Sequence, residues 1–249
     1  MNKYHAVVCS SLLLLWGVCA PPLRAQQADA TAAEKTSVTD IVRETQKTVG
    51  GKGMVGLVWW IPAEYWERAA EEQGQSLEAA NSTFAPLHDY TMVVVAVGKL
   101  GIGNINWYPE DDIRSSTTLR DATGTAYKPL TQISPDALGV ASFLKPMFAN
   151  MLGTMGQNLQ ILFFPAKSEK GTPLANPVRE GRFSVIIANL MGQKETIYEW
   201  RLPLTSLSPP KYCPVGKERV EANWKFCPWH GNRLDDVAPA DSKKSEKPQ

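Results

Sequence analysis

The sequence predicts a mainly β protein, an antiparallel sandwich carrying two helical insertions and followed by a small cysteine-bearing appendage. Three observations predict it. Short runs rich in β-branched and aromatic residues recur between Gly, Pro, Asn and Asp. Strand and helix signals do not alternate in the regular way a parallel sheet demands. The apolar start of the chain reads as an export signal, and exported chains favour such folds.

Residues 1–25 have the parts of a signal peptide: Lys3 in a short polar start, an apolar run from Ala6 to Ala20, and the small Ala25 as the processing point. The apolar run is about 15 residues, short of the about 20 that a membrane span needs. Trp16-Gly17-Val18 before Cys19 does not match a lipoprotein signal. The expected location is therefore periplasmic or extracellular, with no transmembrane segment after cleavage. Lys3 and Arg24 leave with the signal, so 24 of the 26 Lys and Arg remain against 25 Asp and Glu. A nearly neutral chain gives no reason to expect a nucleic-acid partner.

Residues 26–36 are polar with no apolar period and read as a flexible leader. From Ser37, a cap, the residues Val38, Ile41, Val42 and Val49 predict a short amphipathic helix ended by Gly50-Gly51. Met54 to Ile61 and Tyr90 to Val97 are nearly continuous apolar runs, expected as strands covered on both faces. Asn104 to Tyr108 and Ser116 to Arg120 are weaker strand signals, and Asp121 to Gly124 supplies a turn into Thr125 to Lys128. Leu159 to Phe164 is another buried run. In Arg182 to Ile187 the residues Phe183, Val185 and Ile187 share a face, and in the last strand Tyr198, Trp200 and Leu202 do. Eight strands result.

Two helices interrupt them. Pro62 to Gly74 begins with Pro at an allowed first-turn position. Ser134-Pro135-Asp136 starts a second, in which Leu144, Phe148, Met151, Leu152 and Met155 recur at helical spacing, and Pro146 is expected to kink or divide it. The main domain spans 37–208, the appendage 209–236, and the Lys-, Ser- and Pro-rich residues 237–249 read as a disordered tail. Leu119-Arg-Asp-Ala-Thr-Gly-Thr-Ala-Tyr127 with Pro129 resembles a hairpin common in immunoglobulin-like extracytoplasmic domains. Over about ten residues, that resemblance implies an immunoglobulin-like sandwich.

The appendage contains Tyr212-Cys-Pro-Val-Gly-Lys-Glu218 and then Trp224-Lys-Phe-Cys-Pro-Trp-His-Gly231. It resembles the short zinc ribbons in which two Cys-Pro-x-Cys-Gly knuckles each present two ligands to one metal. The resemblance implies Cys213, Cys227 and His230 as ligands of a structural zinc. The first knuckle departs from the pattern, because Gly216 stands where its second Cys belongs. Glu218, Asp235 or His88 are candidates for the fourth ligand, and spacing does not choose among them. The preferred reading is nevertheless a Cys213–Cys227 disulfide with no cofactor, the zinc being its alternative. It is favoured by an oxidising compartment, by the presence of only these two cysteines after residue 25, and by the roughly 3 kcal/mol that closing a loop of about 15 residues contributes.

Other constellations resolve to structure. Trp59 and Trp60 fall on opposite faces of a strand, one in the core and one under the helix that follows, rather than forming with Tyr65 and Trp66 a ligand-stacking cluster. His88-Asp89 point apart in an extended segment and form no catalytic dyad. Gly50-Gly51-Lys52-Gly53 and Gly98 to Gly103 lack the context of phosphate or dinucleotide loops and read as turns. Asn81-Ser82-Thr83 is a sequon that matters only in a eukaryotic secretory pathway. No catalytic set is assembled by spacing. The expectation is a non-catalytic binding or interaction module of unidentified partner, an envelope protein or a small ligand. The alternatives are an envelope structural or assembly protein, and an enzyme whose pocket holds His88 beside a carboxylate and a nucleophile.

Overall fold

The computed structural model describes residues 37–51, 53–190 and 194–234. The expected signal peptide, leader and 237–249 tail and the candidate ligand Asp235 lie outside the described residues. What is described is a mixed α/β fold of antiparallel open sheets with several helices, rather than a mainly β chain with two insertions.

All eight expected strands are present. The first sheet holds β1 (Gln46–Gly51), β2 (Met54–Ile61), β3 (Tyr90–Leu100), β4 (Ile105–Trp107) and β7 (Gln160–Pro165). The long β3 is its spine: β2 pairs along one edge, and β7 and then β4 share the other. The second sheet runs in the order β6 (Ala126–Tyr127), β5 (Thr117–Arg120), β8 (Gly181–Ala188), β9 (Glu195–Leu202). Every pairing in both sheets is antiparallel.

Period-two alternation sorts the side chains of β2 and β3 into two cores. Val58 and Trp60, with Val93, Val95 and Val97, meet Phe183, Val185, Ile187, Trp200 and Leu202 of the second sheet. The indole of Trp60 stands edge-on to Phe183 and to Trp200. On the opposite face Leu57, Trp59 and Ile61, with Met92, Val94 and Ala96, lie beneath helices. The apolar runs are continuous because both faces are covered, and each large side chain so buried contributes about 1.5–3 kcal/mol. Trp59 and Trp60 divide between core and helix as their alternation predicts.

The covering helices are α1 (Val38–Thr45), α2 (Ala63–Glu72) and α5 (Pro135–Leu152). Ser37 and Asp40 form a reciprocal capping box at the start of α1. That helix stops at Thr45, not at Gly50-Gly51: residues 46–51 pair with β2 instead, carrying Val49 into the inter-sheet core. A full strand's ladder outweighs the propensity of two more helical turns. Thr45, wholly buried at this switch, joins the two cores. Its Oγ1 accepts the indole N–H of Trp59 at 3.0 Å and its carbonyl accepts that of Trp200 at 2.8 Å.

Helix α5 runs undivided through Pro146 and ends at Gly153, before the single turn α6 (Thr154–Gln157). It packs through Ala137, Ala141, Leu144 and Phe148, while Met151 of the expected apolar stripe is exposed. Two helices had no clear signal, α3 (Leu77–Phe84) and α4 (Glu110–Ser116). The first is held by Phe84 stacking on Trp66 at 4.8 Å. The second is anchored by the buried Ile113. Among the described residues no helix is long and apolar enough to cross a membrane.

Candidate metal centre

The appendage begins with β10 (Lys211–Tyr212) paired to β11 (Arg219–Val220). Its chain repeats itself at an offset of 14: Tyr-Cys-Pro-Val-Gly-Lys-Glu-Arg-Val from Tyr212 to Val220, then Phe-Cys-Pro-Trp-His-Gly-Asn-Arg-Leu from Phe226 to Leu234. The repeat is structural too. The N–H of Cys213 donates to the carbonyl of Glu218, and that of Cys227 to Asn232. The N–H of Lys217 donates back to Cys213, and that of Gly231 to Cys227. Each tight turn puts its fifth residue in the left-handed region, Lys217 at φ 61° and Gly231 at φ 68°. Only the second supplies the residue type that adopts this without strain.

The two knuckles close on one cluster. Cys213, Glu218, Cys227 and His230 each offer a donor atom, all within 4.8 Å of one another. Nδ1 of His230 lies 3.5 Å from both sulfurs and 3.1 Å from Oε1 of Glu218, and Sγ of Cys227 is 3.3 Å from that oxygen. Around a tetrahedral zinc, bonds of about 2.3 Å to sulfur and about 2.0–2.2 Å to nitrogen or oxygen place such pairs about 3.4–3.6 Å apart. The donor set and its spacing therefore fit a four-coordinate zinc.

Glu218 is the fourth donor that spacing left open, and Gly216 explains how it gets there. In the second knuckle the fourth residue, His230, is the ligand; in the first that position is Gly216 and has no side chain. A Cβ at 216 would lie closer than 3.0 Å to the Glu218 carboxylate and to the His230 ring. Glu218, which corresponds to Asn232, reaches through this gap. Aligning the two halves shows the missing side chain at Gly216 but not the donor that replaces it, since Asn232, the counterpart of Glu218, is not in the cluster. His88, another candidate, belongs to a different part of the fold and is not in the cluster.

The sulfurs are buried, and both cysteines are free thiols in this structure, with no Cys213–Cys227 bond. Burial pushes the Cys227 thiol above its ordinary value. The Cys213 thiol and Glu218 carboxylate add to that, while the N–H groups of His230 and Trp229 oppose it. The Glu218 carboxyl is held below its usual value by its own backbone N–H first, against burial, and further by both thiols and His230. Two thiolates beside a carboxylate are stable only with a cation among them, so metal binding here displaces thiol protons.

The apolar core of the appendage is small: Cys213, Val220, Cys227 and Leu234, with Trp224 against them. Polar contacts join it to the rest of the fold. The N–H of Ala222 donates to Oγ1 of Thr205 at 3.0 Å, and Nζ of Lys225 meets Glu180 at 2.6 Å. Glu44 of α1 accepts the N–H groups of Thr205 and Ser206, fixing the segment that leads into the ribbon.

A cavity of about 290 Å³ beside α2 holds His88 and Glu64, the pair that an enzymatic reading asks for. Burial pushes the Glu64 carboxyl above its ordinary value. Of the hydroxyls lining that cavity, Thr91 donates to the carbonyl of Pro165 and Tyr90 accepts the N–H of Ser134. No family model, curated protein or solved structure matches the chain.

Proposed function

We propose that this protein is a non-catalytic binding or interaction module working outside the cytoplasm, with its C-terminal ribbon closed by one structural zinc ion on Cys213, Glu218, Cys227 and His230. The observation that carries the reading is the convergence of four donor atoms within 4.8 Å of one another, with His230 Nδ1 at 3.1 to 3.5 Å from the other three, in a segment with a core too small to fold by apolar burial alone. Zinc does no chemistry here; four protein donors leave no open position for a substrate. It fixes the two knuckles and so presents their tips. The two packed sheets, read as an immunoglobulin-like sandwich covered by helices, act as the scaffold.

The competing closure is the Cys213–Cys227 disulfide, favoured by the same proximity of the sulfurs and by an oxidising compartment. Intact mass of the exported protein, purified without chelator or reductant and measured native and denatured, separates the two. The zinc reading expects a mass for residues 26–249 with one zinc in the native spectrum and two thiols after denaturation. A metal-free protein that gains two protons on reduction would replace it with the disulfide, and an unprocessed N-terminus would remove the basis for export.

A further inference from the structure

A cleft of about 510 Å³ opens where the ribbon meets the main domain, a volume within the range of small-molecule sites. Its ribbon wall is the turn from Glu221 to Trp224, closed by the N–H of Trp224 donating to the carbonyl of Glu221 at 3.1 Å. The facing wall comes from α1, the start of β1 and the end of β9, with Leu204 and Thr205 beyond them. Two contacts hold the turn in place: Ala222 donates to Thr205, and Nζ of Lys211 donates to the carbonyl of Trp224 at 2.9 Å. The indole of Trp224 lies against the small core that contains Cys213 and Cys227, and Trp229 stands edge-on to it at 5.7 Å. Closing the ribbon therefore fixes an aromatic ring in the wall of a polar cleft.

Charge in this cleft balances. Arg43, Lys47 and Arg201 line it with Glu44, Glu199 and Glu221. Arg43 is paired with Asp40 and Arg201 with Glu199, while Glu44 accepts the N–H groups of Thr205 and Ser206. What is left is one cation, Lys47, lying over the Trp200 ring at 5.8 Å, and one carboxylate, Glu221. Such a lining selects neither an anion nor a cation. It offers little to an apolar ligand either, because Trp200 and Leu204 are buried.

We propose that this cleft binds an uncharged saccharide, with a pyranose ring lying on the indole of Trp224 and its hydroxyls hydrogen-bonding to Lys47, Glu221, Asn223 and the Thr205 hydroxyl. One face of a pyranose carries polarised C–H groups that suit the negative face of an aromatic ring, and its rim carries neutral donors and acceptors. Glu221 and the Asn223 carbonyl accept from such a rim, and Lys47 and the Asn223 amide donate to it. The Thr205 oxygen already accepts from Ala222 and keeps its own proton to donate. The inference deepens the binding-module reading and rests on the closed ribbon, which keeps Trp224 in the wall.

The test is calorimetric titration of the full processed chain, with zinc content measured in parallel, against cellotriose, maltotriose and triacetylchitotriose, with glucose 6-phosphate and trialanine as charged and peptide controls. At least one trisaccharide is expected to bind with a Kd of about 1 mM or tighter, and neither control is. Trp224→Ala is expected to weaken that binding at least about tenfold. Because Trp224 also packs on the ribbon core, Lys47→Ala and Asn223→Ala, which do not touch that core, are measured beside it. Each of these two is expected to cost about threefold or more with zinc stoichiometry unchanged. Zinc-loaded protein that takes up none of the three sugars at about 10 mM, or Lys47 and Asn223 variants that bind as the parent does, overturns the proposal and leaves the zinc reading intact. Binding of a control in place of the sugars overturns the saccharide as occupant. Sugar binding by metal-free, disulfide-closed protein upholds the cleft and sinks the zinc reading instead.

Discussion

Replacing Gly216 with Ala adds one methyl group at the point where the first knuckle differs from the second. The new Cβ would lie within 3.0 Å of the Glu218 carboxylate and the His230 ring, two of the four donors. The backbone at 216 is outside the left-handed region, so the cost is steric rather than conformational. Neither donor can retreat without leaving the metal. Disturbing what orients a ligand lowers metal affinity by about 10–100-fold, which corresponds to about 1.4–2.8 kcal/mol. A competition titration against a chromophoric zinc chelator measures this, with Val215→Ala, which alters only an exposed side chain, as the control. An alanine variant that holds zinc as tightly as the parent would refute the reasoning that Glu218 coordinates through the space left by Gly216.

Further outcomes follow from the same structure. Converting the first knuckle to the second's plan with Gly216→Cys and Glu218→Asn together moves the fourth donor to the position that corresponds to His230 but leaves a Cβ against the His230 ring, so the double variant is expected to bind zinc more tightly than Gly216→Ala without exceeding the parent; binding no tighter than that of Gly216→Ala in the same titration would contradict the correspondence of the halves. Thr45→Val removes the acceptor of the buried Trp59 indole N–H and is expected to destabilise the domain by about 1–3 kcal/mol in urea unfolding; an unchanged midpoint would show that the hydroxyl does not join helix and sheet. Burial raises the Glu64 carboxyl above its unfolded value, so its contribution to stability is fullest at acid pH and falls as pH rises through the folded value. Glu64→Gln should therefore raise the melting temperature at neutral pH and leave it unchanged at pH near 4, and a variant of equal or lower stability at neutral pH would contradict that sign. Zinc affinity should fall as pH is lowered, because thiols must lose protons to bind, and a pH-independent affinity would speak against thiolate ligands.

Strands were legible where side-chain alternation or continuous burial left a mark on the sequence. Phe183, Val185 and Ile187, and likewise Tyr198, Trp200 and Leu202, lie on the shared faces their spacing indicates. Segments 46–51, 77–84 and 110–116 were not legible, because their states are set by partners distant in the chain: the β2 ladder, the ring of Trp66 and the inter-sheet core around Ile113. Pro146 misled in another way. A proline removes one hydrogen bond, and a helix with Leu144 and Phe148 buried on either side of it retains enough packing to continue. In the ribbon, Cys213, Cys227 and His230 follow from the knuckle pattern. Glu218 depends on the absence of a side chain two residues earlier, and only the three-dimensional turn makes that consequential.

X-ray absorption at the zinc edge of the protein as purified reads the metal and its donors together. One zinc per chain is expected, with two sulfur neighbours at about 2.3 Å and two nitrogen or oxygen neighbours at about 2.0–2.2 Å. Loss of the sulfur shell from a protein in which Cys213 and Cys227 are oxidised, or three or more sulfurs drawn from two chains, would contradict it.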